Sequence, residues 1–175
     1  FFFTASGSFA DFTAANLDET VRSVAGTWEE RFLRDLTQRF GKRQAQAFFD
    51  RYHASFPEEY QLAHTPADTV IDVQHLDLLR THPNRSMAFD TFVSDRDRMQ
   101  NQARLRIYQS KNVYLSSILP VLSNFGLQVI DQSSFRVQPA REKELYIDTF
   151  RVAGVDRDDH PMIANKGIVI EALEN

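Results

Sequence analysis

An α+β fold is expected from three features of this 175-residue sequence. Apolar residues recur at steps of three and four up to His82-Pro83, they alternate one in two beyond it, and a single helical run interrupts the alternating half. The expected organisation is the end of an upstream strand or linker at 1–15, a helical segment at 16–82 and an antiparallel α+β domain at 83–175. A hydrophobic share of 42% beside 25% charged residues is enough to bury a real core over this length.

The start, Phe1-Phe2-Phe3-Thr4, is too short for a signal-peptide core and has no basic stretch before it. With no initiator methionine it reads as the tail of a severed strand, so the chain is expected to be a fragment. Leu17, Val21, Val24, Trp28, Phe32, Leu36 and Phe40 then step by three and four, predicting a helix from Asn16 to Phe40. Asn16 and Glu19 form a capping-box-like pair at its start, and Gly41 can close its end. A second helix is predicted from Arg43 to Ser55, burying Ala47, Phe48, Phe49 and Tyr52, with Pro57 ending it. Glu58 to His64 reads as a further turn or two. Thr65-Pro66 is an N-cap followed by proline at the first helical position, opening a third helix striped by Val70, Val73, Leu76 and Leu79.

In the second half, "SMAFDTFV" and "ARLRIYQS" alternate as strands, joined by the polar stretch Ser94 to Gln102. "VYLSSILPVLSNFG" follows, with Pro120 in the middle of a helical pattern. A proline there removes a hydrogen bond and clashes with the Ser116 carbonyl, at a cost of about 3 kcal/mol. One kinked helix still fits best. Leu115, Ile118, Leu119, Leu122 and Phe125 line one side, and Gly126 caps the end in the left-handed region before Leu127 starts a strand. "LQVIDQSSFRVQ" and "ELYIDTFRV" make an antiparallel hairpin around Pro139 to Lys143. After the polar loop Gly154 to His160, "PMIANKGIVIEALEN" is expected to begin a helix that the end of the chain cuts short. Without its first strand this half reads β-α-β-β-α, five-sixths of a ferredoxin-like unit with helices on one face of the sheet.

Composition removes several function classes. A net charge of −4 and a pI near 5.7 argue against nucleic acid, and the arginines Arg96, Arg98, Arg104 and Arg106 are interrupted by Asp95 and Asp97. Zero cysteines exclude disulfides and thiolate metal sites, which fits a reducing cytoplasm. No apolar run approaches the roughly 18–20 residues that span a bilayer, so no membrane partner is expected. No G-x-G-x-x-G follows a strand and no P-loop occurs, so no cofactor-binding residue is assigned. "DRDDHP", Asp156 to Pro161, could hold a divalent cation through its oxygens, but it is read instead as a solvated loop with Asp near a helix N-terminus. His53, His64, His75 and His82 lack the i, i+4 spacing of a helical zinc site, so no metal site is expected. Ser116, Ser117 and Ser123 have no histidine–acid partner, and no catalytic residue is assigned.

Two stretches taken together resemble a known family. Glu29 to Leu79, with Trp28 directly before it, carries the tryptophan-led helix, then Gly41, a "Y-x-x-A/S-F-P-x-x-Y" run at Tyr52 to Tyr60 and a "P-A-x-x-x-x-D" run at Pro66 to Asp72. The later stretch matches "L-S-x-x-L-P-x-L-x-N-x-G-L-x-V" at Leu115, Ser116, Leu119, Pro120, Leu122, Asn124, Gly126, Leu127 and Val129. Over roughly Leu17 to Val152 the chain resembles the N-terminal, non-catalytic region of the large NAD-specific glutamate dehydrogenases of bacteria, which contains ACT-like regulatory domains.

The resemblance implies an ACT-like domain and a parent enzyme that converts L-glutamate, NAD and water to 2-oxoglutarate, ammonia and NADH. NAD would belong to the parent, not to this stretch. The implied partners are other domains of the same chain and other subunits of a homo-oligomer, with an amino-acid effector as a further ligand. ACT-type domains hold such effectors near the loop after the first strand, here Ser110, Lys111, Asn112, Val113 and Tyr114. Lys111 could meet a carboxylate, Ser110 and Asn112 could hydrogen-bond it, and Tyr114 completes the expected ligand set. The loop lacks the glycine that lets backbone N–H groups approach closely, which favours a structural or inter-domain role. The competing reading is a stand-alone amino-acid-sensing or protein-binding α+β module.

Overall fold

The computed structural model describes residues 26–153, apart from 125 and 141. The expected N-cap Asn16, the loop Asp156 to Pro161 and the final helix lie outside the described residues. Four helices come first: α1 (Trp28–Phe40), α2 (Lys42–Tyr52), α3 (Glu58–Ala63) and α4 (Pro66–Thr81). Then follow β1 (Met87–Phe92), α5 (Asp95–Met99), β2 (Gln102–Gln109), α6 (Leu115–Asn124), β3 (Gln128–Val137) and β4 (Leu145–Ala153). The fold is α+β as expected, helices followed by a four-stranded antiparallel sheet.

The helix α1 does not run on from Asn16. Thr27 is its N-cap: the Glu30 N–H donates to the Thr27 hydroxyl at 3.2 Å, and the Thr27 N–H donates to the Glu30 carboxylate at 2.8 Å. Just before it Gly26 has φ of 108°, and a Cβ there would lie 2.8 Å from Glu30 Oε2. The apolar spacing passes through this point, but the reciprocal cap satisfies orphan amides here and α1 starts at Trp28. In α2 the buried residues are Ala45, Phe48 and Tyr52, with Phe49 half-buried. Ala47, expected inside, is exposed, because the i, i+3, i+4, i+7 register runs from Ala45 and turns position 47 outward.

Three of these helices end on a histidine. His53, His64 and His82 are the C-caps of α2, α3 and α4, and each places Nδ1 at 2.9–3.1 Å from the carbonyl four residues back. Each of these carbonyls also accepts from the backbone N–H of the same histidine, so a ring N–H there adds a second donor and folds the imidazole back onto the helix end. The helix α4 starts as read from Thr65-Pro66, with a Thr65–Asp68 capping box, and buries Val70, Val73, Leu76 and Leu79.

The strands are ordered β1-β2-β4-β3, all neighbours antiparallel. The helix α6 therefore connects β2 and β3, which run parallel, with β4 between them; this is the split β-α-β of a ferredoxin-like unit. β1 takes the edge beside β2. The polar stretch between β1 and β2 holds the short helix α5, started by Ser94, whose hydroxyl accepts from the Asp97 N–H at 3.1 Å.

Alternation divides the sheet between two cores. Ala88, Tyr108, Val137, Leu145 and Ile147 pack with α1 to α4, while Phe89, Leu105, Ile107, Phe150 and Val152 pack with Ile118 and Leu122 of α6. The domain's own described helix thus covers one face, and the helical segment covers the other. The two parts also share backbone hydrogen bonds: Gln138 N–H donates to the Ser55 carbonyl and Ala140 N–H to the Arg51 carbonyl, both at 3.1 Å.

Pro120 lies inside α6 and is exposed. Among the described residues of the expected stripe, only Ile118 and Leu122 are buried; Leu115 and Leu119 are 39% and 36% exposed, and Phe125 lies outside the described residues. Gly126 has φ of 74°, and the Leu127 N–H reaches back to the Leu122 carbonyl at 3.0 Å, closing the helix as the sequence suggests. A Cβ at Gly126 would meet nothing within 4 Å, so replacing it exposes the backbone cost alone. Gly126→Ala is expected to lower stability by about 1 kcal/mol, read as a lower urea midpoint at unchanged m-value.

Candidate functional site

The most elaborate polar site is buried where α4 meets the sheet. Thr69, Asp72, Val73 and Leu76 share the inward face of α4, so one carboxylate is carried into the core among aliphatic side chains. β2 sends Arg106 and Tyr108 to the same face, being two residues apart on a strand. Thr149 of β4 lies opposite Arg106 in register, and Tyr60 arrives from α3. Arg106 Nη1 donates to Asp72 Oδ1 at 2.6 Å and the Tyr108 hydroxyl to the same oxygen at 2.7 Å. The Tyr60 hydroxyl donates to Asp72 Oδ2, and Arg106 Nε donates to the Thr149 hydroxyl at 3.2 Å. The Arg106 guanidinium also lies 4.9 Å from the centroid of the Phe92 ring.

The side chain of Asp72 is fully buried, and that of Arg106 is 7% exposed. Burial works against the Arg106 charge, but the adjoining Asp72 more than offsets it and holds the guanidinium pKa above its ordinary value. Burial first, and the Asp72 charge next, push the Tyr60 and Tyr108 hydroxyls well above 10, so both remain donors near neutrality. Both tyrosines thus stay protonated and the guanidinium stays charged near pH 7. What it does is fix one helix against the central strands through a hydrogen-bonded buried ion pair.

His64 sits at its edge, stacked on Tyr60 at 4.2 Å between ring centroids. Burial lowers its pKa below the ordinary 6.5, with the Tyr60 carbonyl acting in the opposite direction. The unfolded chain therefore binds the proton more readily than the folded one, and stability falls as pH drops through and below 6.5. His64→Gln is expected to flatten the decline in melting temperature between pH 7.5 and about 5.5, checked by thermal unfolding across that range.

A second relay lies beneath the β2–α6 loop. Gln109 donates to Asp148 at 2.6 Å and its carbonyl oxygen accepts from the Val113 N–H at 2.7 Å, while Gln132 donates to Asp148 at 3.3 Å. Gln109 is fully buried, so the loop is anchored from below. Of the four residues expected to bind a ligand, Ser110 and Lys111 line a cavity of about 520 Å³ with Arg80, Glu142 and Lys143, over an apolar wall of Leu79, Pro83 and Leu145. Asn112 and Tyr114 do not line it; Tyr114 is 79% exposed.

Of the four arginines judged too interrupted for nucleic acid, two make ion pairs: Arg106 as above, and Arg104, which reaches Asp97 at 3.2 Å. Among the described residues no group of three or more His, Cys, Asp or Glu is placed to hold a metal, and no helix is long and apolar enough to cross a membrane. The one described turn that leads from a strand into α6 contains no glycine to let a pyrophosphate approach the backbone.

Sequence reasoning missed the Asp72 site. Its signal was present, since Asp72 interrupts the apolar stripe of α4 and both Tyr60 and Asp72 close the two quoted motifs, yet those residues served only as markers of resemblance.

Comparison with known proteins gives two adjacent matches. Residues 35–79 match the family model of glutamate dehydrogenase, helical motif 2, and residues 86–162 match that of glutamate dehydrogenase, ACT3 domain. Among curated proteins, the NAD-specific glutamate dehydrogenase of Pseudomonas aeruginosa is 24% identical over 141 residues, 80% of this chain and 8% of that protein. That of Halomonas elongata is 22% identical over 165 residues, 94% of this chain and 10% of that protein. That of Mycobacterium tuberculosis is 29% identical over 141 residues, again 80% and 8%. The chain thus spans a tenth or less of the length of these relatives.

Proposed function

We propose that the chain, whose residues match glutamate dehydrogenase helical motif 2 and then the ACT3 domain, is a non-catalytic scaffolding and regulatory segment of an NAD-specific glutamate dehydrogenase. The parent reaction is oxidative deamination of L-glutamate to 2-oxoglutarate with NAD, carried out elsewhere in the chain. The work of this segment is to hold its neighbours in register and to pass a change at one end of the sheet to the helices at its back. Its partners are other domains of the same chain and other subunits of a homo-oligomer in the cytoplasm.

The observation that carries this reading is the buried Asp72–Arg106 pair with its two tyrosine donors. A pair of this kind gives little stability over an apolar packing, so its value is in fixing one arrangement of helix on sheet. It joins two modules that differ in secondary structure but share one hydrophobic core.

The test uses a full-length glutamate dehydrogenase that contains this segment. Asp72→Asn is expected to reduce the yield of assembled oligomer and the specific activity together, with KM for glutamate and for NAD unchanged. A raised KM with normal assembly would contradict the scaffolding role. So would glutamate-dependent NAD reduction by the 175-residue chain alone.

A further inference from the structure

We propose that α3 is an acid-released clasp on the edge strand β3, held near neutral pH by a stack of rings that ends on His64. Geometry is the first argument. Phe56, Tyr60 and His64, four residues apart, stack face to face, with centroids 4.6 Å and then 4.2 Å apart. Phe135 of β3 stands edge-on to both Tyr60 and His64, at 5.3 Å and 5.5 Å. Among the described residues β3 is an outer strand, paired with β4 alone. Phe135 therefore ties the edge of the sheet to the helical segment through those two rings.

The attachment of α3 is the second argument. Among α1 to α4, only α3 buries a single residue, Tyr60, and its N-cap Pro57 offers no side-chain bond. Beyond the stack it is anchored by the Tyr60 hydroxyl on Asp72 and by Gln61 Nε2, which donates to the Phe56 carbonyl at 3.1 Å. So few buried contacts mark a segment that opens locally, with the rest of the fold in place.

A proton reaches the stack at His64. Its Nδ1 lies 3.1 Å from the Tyr60 carbonyl, which can only accept, so Nδ1 carries the ring hydrogen and Nε2 takes the second proton. The groups facing the ring are Tyr60 of α3, Phe135 of β3, Asp68 and Asp72 of α4, and Arg106 of β2. Both carboxylates are already engaged: Asp68 accepts from the Thr65 N–H and hydroxyl, and Asp72 from Arg106 and two tyrosines. Burial first, and then the Arg106 charge, oppose a charged imidazole; the Tyr60 carbonyl and the two acids offset only part of this. The open form of α3 therefore binds the proton better, and acid shifts the segment toward opening. Opening bares Phe135, while α4 stays on the sheet through Asp72 and Arg106. The clasp rests on this packing alone and stands whether or not the segment regulates an enzyme.

The test is amide hydrogen exchange of the full 175-residue chain in low urea, at pH 7.5 and about pH 5.5, corrected for the intrinsic pH dependence of exchange. The amides of residues 58–64 are expected to exchange faster than those of β2 and β4 and almost independently of urea, the mark of a local opening. Lowering the pH is expected to speed their corrected exchange severalfold. His64→Phe and His64→Gln, which cannot take the proton, are expected to remove that response, and His53→Gln, at the end of α2, to keep it. In the unmodified chain, the NMR shifts of the His64 and Phe135 rings are expected to follow one common midpoint below 6.5. The proposal is overturned by α3 amides that share the urea dependence of β2 and β4 at both pH values, or by exchange in α3 that ignores pH. A response that survives in both His64 variants, or separate midpoints for the two rings, overturns it as well.

Discussion

Asp72→Ala is expected to lower the unfolding free energy by about 3–5 kcal/mol, the largest loss from any single polar side chain in the described fold. The change removes the acceptor of three hydrogen bonds at once. It leaves the Arg106 guanidinium charged and buried with Thr149 and the Phe92 ring as its remaining partners. Two buried phenol hydroxyls lose their acceptor as well. Against a total stability of about 5–15 kcal/mol this is enough to unfold a marginal domain. Asp72→Asn keeps an acceptor oxygen in place and is expected to cost less. Asp77→Ala is the matched control: its partners Arg51 and Arg80 are half-exposed, so the loss should stay near 1 kcal/mol. Urea titrations of the three variants at pH 7 give the comparison directly.

Leu122→Ala is expected to cost about 2–5 kcal/mol, and Leu119→Ala, three residues earlier on the same helix, less than about 1 kcal/mol. Leu122 is fully buried against the sheet, where truncation leaves a cavity next to Ile118, Leu105 and Phe150. Leu119 is 36% exposed and already loses part of its contact area to solvent. The contrast tests which side of the proline-containing helix faces the sheet. Equal losses at the two positions would mean that the whole leucine stripe is buried and that α6 is rotated from the orientation described here.

The features legible in the sequence were those whose signals lie within a few residues. Thr65-Pro66 fixes the start of α4 because cap and first-turn proline are adjacent, and Gly126 ends α6 because one residue must adopt positive φ. The β3–β4 hairpin and both neighbouring strands follow from alternation and a short connection. Where local signals competed, periodicity misled: the apolar spacing runs from Leu17 through Trp28, but the Thr27–Glu30 cap sets the start of α1 at Trp28. The same reading passed over the Ser94–Asp97 cap that builds α5 within a polar stretch.

The buried joint was not legible, since Asp72 meets Arg106 and Tyr108 across 34 and 36 residues of sequence. On β2, arginine and tyrosine alternate with leucine and isoleucine. That pattern reads as a solvated strand face, and only the docked α4 shows that both faces are covered. The cavity is equally non-local. Ser110 and Lys111 were singled out as a loop, while Arg80, Glu142 and Lys143, which complete its wall, come from elements far apart in the chain.

Helical segment and sheet are expected to unfold as one cooperative body, since they share a hydrophobic core. Trp28, the only tryptophan, packs against Phe32 in the helical segment and reports on that part alone. Amide exchange of β2 and β4 reports on the sheet. In a urea titration the two probes are predicted to give one midpoint, and in Asp72→Ala to shift together to lower urea. Loss of native Trp28 fluorescence while the β2 and β4 amides stay protected would contradict the account.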